Sequence, residues 1–118
     1  MNVAQYPVHM ILEKIGVSTV DYWSLDTEET EADILENTRF DKFELGAITV
    51  EKERLGQTSK NGRIIKVLSK QGFEYVGSHR EDAFWVSPNY FKSRGLPVPT
   101  KSSLKGLSGC SIKGCWAR

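Results

Sequence analysis

The chain is short of cysteine, of histidine and of long apolar runs. Its two cysteines, Cys110 and Cys115, lie near the C-terminal end. They are too few for a disulfide framework, and no histidine stands close enough in sequence to complete a zinc site with them. The two histidines, His9 beside an apolar helical face and His79 in a polar turn, have no other ligand types at metal-binding spacing around them, so both read as structural or solvated. No apolar stretch approaches the length of a membrane span, and residues 1–16 lack the basic segment and apolar core of a secretory signal. The expectation is a soluble, cytoplasmic protein with no membrane partner.

Charge of one sign is also missing over two stretches. Residues 15–38 hold seven acids and no Lys or Arg, whereas beyond Asp82 there are six basic residues and no acid. A net charge of +1 argues against a general nucleic-acid binder. The basic residues of the C-terminal end, Lys92, Arg94, Lys101, Lys105, Lys113 and Arg118, are spread among Ser, Gly and Pro, the pattern of a solvated tail rather than of a phosphate-binding face.

What is present suits one small domain with a modest core, since the chain has 118 residues, of which 39% are hydrophobic. Residues 6–16 predict a short helix, with Pro7 at its first position, Gly16 as its stop and Met10, Ile11 and Ile15 as the face to bury. The run from Val20 to Leu25 predicts a strand that is apolar on both faces, as in the interior of a parallel sheet. It breaks into Asp26-Thr27-Glu28-Glu29-Thr30-Glu31 and a helix over residues 28–37, where acids in the first turn also suit the macrodipole. Residues 43–51 predict a second strand, closing on Glu51. A strand, helix, strand unit makes the two strands parallel, so Asp26 and Glu51 should open on the same edge of the sheet.

Asn61 and Gly72 bracket a predicted helix over residues 62–71, with Ile64, Ile65 and Leu68 as its buried stripe. Residues 73–76 and 83–86 read as an aromatic hairpin around a turn over 77–82. From Pro88 on periodicity fades, and residues 101–118 are expected to be largely disordered.

This series of motifs resembles the C-terminal half of FkbM-type S-adenosylmethionine-dependent methyltransferases. The resemblance covers residues 7–90 and rests on the Asp-Tyr strand start, the Asp-x-Glu-x-x-Glu turn (Asp26, Glu28, Glu31), a second strand ending in Ile-Thr-Val-Glu (Glu51), Gly-Phe-x-x-Val from Gly72, and a final aromatic strand. It implies an α/β fold, a partial Rossmann-like methyltransferase sheet of two parallel strands plus a C-terminal antiparallel hairpin with three helices, the N-terminal strands being missing. Residues 1–92 would form this domain and residues 93–118 a flexible basic tail.

The resemblance further implies methyl transfer from S-adenosylmethionine to an oxygen acceptor. Asp26, Glu28 and Glu51 would be the catalytic carboxylates, Asp26 and Thr27 would touch the cofactor, and Glu31 the substrate. Two departures stand out. Glu29 occupies the position where the family has Gly, a residue used for positive φ or close backbone approach. The family's main cofactor loop, rich in Gly, would lie upstream of the matched region and is absent from this chain. Activity then needs an N-terminal half supplied from elsewhere. The alternative is a non-catalytic module that pairs, with itself or a partner, through the open edge of its first strand. The carboxylates Asp26, Glu28 and Glu51 also suit Mg²⁺ or Ca²⁺ by donor type, although no ligand-spaced motif adds to that reading.

Overall fold

The computed structural model describes residues 4–51 and 58–101. The chain runs through α1 (Val8–Ile15), β1 (Thr19–Leu25), α2 (Glu31–Glu36), a single 3-10 turn at Phe40–Lys42, β2 (Glu44–Glu51), α3 (Thr58–Lys70), β3 (Glu74–His79), β4 (Asp82–Val86) and α4 (Pro88–Ser93). It is a small α/β domain whose four strands lie in the order β1-β2-β4-β3. β1 and β2 are parallel, while β4 is antiparallel to both β2 and β3. No helix among the described residues is long and apolar enough to cross a membrane.

The helix stops are locally written. At Gly16 the backbone turns left-handed, with φ of 76°, and the next amide, of Val17, donates back to the Leu12 carbonyl at 2.9 Å; a residue without Cβ takes that conformation at no steric cost. The end of α3 repeats the pattern, the Phe73 amide reaching the Leu68 carbonyl at 3.0 Å. Its start differs from expectation. α3 begins at Thr58, so Asn61 and Gly62 lie within the helix instead of at its N-cap.

The core forms where α2 and α3 cover the sheet. Ala32 and Leu35 of α2, Ile64 and Leu68 of α3, and Leu25, Ile48, Val50, Ala83 and Trp85 of the strands make one buried cluster, extended by Phe43, Leu45 and Phe73. Four predicted burials fail. In α1 no residue is buried, and Met10, Ile11 and Ile15 face outward, Ile15 at 65% exposure. Ile65 of α3 is half-exposed.

β1, expected in the interior of a parallel sheet, is an edge strand among the described residues. Only Leu25 is buried along it, and Tyr22 is exposed. β2 is the most buried strand, with β1 parallel on one side and β4 antiparallel on the other; β4, between β2 and β3, is the second interior strand.

Two further features depart from the sequence reading. The hairpin strands run to His79 and resume at Asp82, leaving a loop of Arg80 and Glu81 with Arg80 left-handed. His79 therefore ends a strand, paired with Asp82, and does not sit in the turn.

α4 forms where periodicity fades, with Pro88 at its start. It docks through one residue. A Cβ at Gly46 would come within 2.9 Å of the Tyr90 ring and 2.7 Å of the Asp21 carbonyl oxygen, so glycine at 46 is what lets the ring lie on β2. The Tyr90 hydroxyl donates to the Asp21 carboxylate, and the Arg94 guanidinium sits 3.7 Å from the ring centroid while donating to Glu44 at 2.7 Å. The region expected to be disordered lies, from residue 102 on, outside the described residues.

Candidate functional site

The β1/β2 register decides what stands at the carboxyl edge of the sheet. Leu25 pairs with Val50, so the next residues, Asp26 and Glu51, emerge side by side. On the other flank of β2, antiparallel pairing sets Glu51 opposite Asp82, which delivers the hairpin loop and Glu81 to the same edge. Sequence reasoning placed Asp26 and Glu51 there. It did not foresee the hairpin's acids, because nothing local shows that β4 pairs with β2.

Asp26 and Glu51 each bring a carboxylate oxygen within 4.8 Å of the other's, close enough for a proton on one carboxyl to be hydrogen-bonded by the other. The Glu51 carboxyl is pushed up to about 7, first by that hydrogen bond to Asp26, then by partial burial and by the negative charges of Asp26, Glu31 and Glu81.

Glu31 is the innermost member. It is fully buried, and the turn Thr27–Thr30 holds it: its Oε1 accepts the Thr27 amide at 3.0 Å, and the Thr30 hydroxyl donates to that of Thr27 at 2.8 Å. Its Oε2 lies 2.7 Å from Nζ of Lys60, itself buried in the first half of α3. Burial alone would push the Glu31 carboxyl up. The Lys60 ammonium and the backbone donors outweigh it, and the group sits below the usual carboxylate range. Lys60 stands just before the predicted helix over residues 62–71, and an aliphatic lysine stem with a buried partner has no sequence signature of its own.

One carboxylate oxygen from each of Asp26, Glu31 and Glu51 lies within 4.8 Å of the others. Glu28 stands outside this group, exposed on the turn, and Thr27 contributes its backbone amide to Glu31. The trio thus differs from the expected divalent-metal set by having Glu31 in the place of Glu28. Lys60 already supplies Glu31 with a positive charge.

The turn between β1 and α2 is bent by two consecutive left-handed residues, Glu28 with φ of 57° and Glu29 with φ of 84°. Position 29 thus has the backbone for which glycine is suited, occupied by a residue that pays for it with roughly 1 kcal/mol of strain.

The arrangement is a close carboxylate pair open to solvent on one side, backed by a buried glutamate that is paired with Lys60. Searches with this chain against protein-family models, curated proteins and solved structures return no match.

Proposed function

We propose that the chain is the C-terminal half of an S-adenosylmethionine-dependent methyltransferase of the FkbM type, acting on an oxygen acceptor once an N-terminal half joins it. The observation that carries this reading is the Asp26–Glu51 pair at the carboxyl ends of two parallel strands, where ligands of open α/β sheets bind. A carboxyl titrating near neutrality is matched to general-base work. The left-handed backbone at Glu29 agrees with the glycine of the family turn.

In this reading the bound cofactor supplies an electrophilic methyl group on a sulfonium. The acidic edge complements that positive charge. Glu51 in its ionised form would accept the proton of an acceptor hydroxyl and hold its oxygen in place, the methyl group being what the cofactor would supply. Asp26 holds the Glu51 carboxyl in place, and Glu31, tied to Lys60, fixes the turn carrying Asp26. Positioning supplies most of the rate. Glu28, exposed and apart from the pair, has the weaker case for a catalytic role.

Among the described residues no glycine-rich loop follows a strand, so the adenosine would be held by the joining half. Calorimetric titration of S-adenosylmethionine tests this. No heat is expected from the chain alone, and saturable binding once the N-terminal half of a family member is added. Absence of binding in both samples sinks the reading.

A second reading, a non-catalytic module pairing through β1, is favoured by the open β1 edge with its exposed Tyr22 and by the uncovered apolar residues of α1. It predicts self-association by light scattering as concentration rises; a strictly monomeric chain counts against it.

A further inference from the structure

An apolar groove of about 680 Å³ lies between α3 and the β3/β4 hairpin, lined chiefly by Ile64, Ile65, Phe73, Tyr75 and Trp85. It is remote in kind from the carboxylate edge, having mostly carbon on its walls. Ile65 and Tyr75 are half-exposed on its rim, and apolar surface gathered in one concave patch is the mark of a docking site.

The path of the chain bears on its occupant. After α4 the backbone returns to the hairpin, and at Lys101, the last described residue, the ammonium stands 5.7 Å from the centroid of the Tyr75 ring. Residues 102–118 are tethered to Lys101, whose ammonium reaches Tyr75 on the groove's rim. They carry Leu104, Leu107, Ile112 and Trp116 spaced by Ser, Gly and Lys. Leu104 is three residues from Lys101, within about 10 Å of extended chain, and Leu107 within about 20 Å. The segment is basic, with Lys105, Lys113 and Arg118 and no acid, and the charged residue in the groove wall is Glu74. A tethered segment also meets its site at an effective concentration that no free partner reaches without high affinity.

We propose that this groove is the docking site of the chain's own C-terminal segment, the apolar residues of 104–116 seating on Ile65, Tyr75 and Trp85.

The test uses the full chain. Cys110→Ser leaves Cys115 as the single thiol, and a nitroxide spin label there sits beside Trp116. Amide signals of Ile64, Ile65, Tyr75 and Ala83 are expected to lose more than half their intensity in the labelled, isotopically enriched chain. Two variants, Ile65→Asp on the rim and Trp116→Ala in the segment, should restore them. Enriched, unlabelled chain mixed with spin-labelled, unenriched chain should keep full intensity. The proposal is overturned if the groove signals keep their intensity, if the variants do not restore them, or if the mixed sample loses as much, which would make the occupant a second copy.

Discussion

Nζ of Lys60 lies 2.7 Å from Oε2 of Glu31, with the two side chains 9% and 0% exposed. This buried pair joins α3 to the turn at the end of β1, and so couples the core to the acidic edge. Removing one partner strands the other charge. Lys60→Met should destabilise the fold by about 3 kcal/mol, read as a lower urea midpoint. Lys60→Met combined with Glu31→Leu should recover most of that loss. A single variant as stable as the parent would show that the pair is not buried in solution.

The Glu51 carboxyl, held up at about 7 against an ordinary 4.5, binds its proton more tightly in the folded chain than in the unfolded one. Its contribution to stability is complete below pH 4.5 and is lost as pH rises through 7. Glu31 acts in the opposite sense: its folded value is lowered, so its contribution is present above pH 4.5 and is lost as pH falls below it. Unfolding followed between pH 5 and 8 should therefore show stability falling, and Glu51→Gln should flatten that slope. An unchanged slope in the variant would assign it to other groups.

At Glu29 the strain can be relieved directly. Glu29→Gly should raise stability by about 0.5 kcal/mol, the removed left-handed penalty exceeding the extra freedom of glycine when unfolded. Thr30→Gly is the control, because Thr30 has a negative φ of −105° and should lose stability. Thermal melts of both variants distinguish relief of strain from a general effect of glycine.

Gly46→Ala should cost about 2 kcal/mol, because the added methyl meets a backbone oxygen as well as the Tyr90 ring. Tyr90→Ala lowers stability by itself, and in its background the further cost of Gly46→Ala should shrink only in part, since the Asp21 carbonyl stays where it is. A further cost of zero would mean that the ring alone sets the limit. Chemical denaturation of the two variants and the double variant reads this out.

Much of the element order can be read locally. Gly16 and Gly72 stop their helices as expected, the acids after Leu25 mark a turn, and the helix between two apolar runs makes them parallel, which alone puts Asp26 beside Glu51. α4 was illegible because its six residues are held by Tyr90 against Gly46, a contact across 44 positions that leaves no period in the sequence.

The sequence by itself determined the order of the elements from α1 to the hairpin and that two carboxylates close parallel strands, because periodicity, glycine stops and crossover geometry are short-range rules. Only the tertiary structure decided that β1 is an edge, that Glu31 and not Glu28 joins the pair, and that Lys60 neutralises it. Burial and ion pairing depend on which elements meet in space, and no local pattern of residues encodes that meeting.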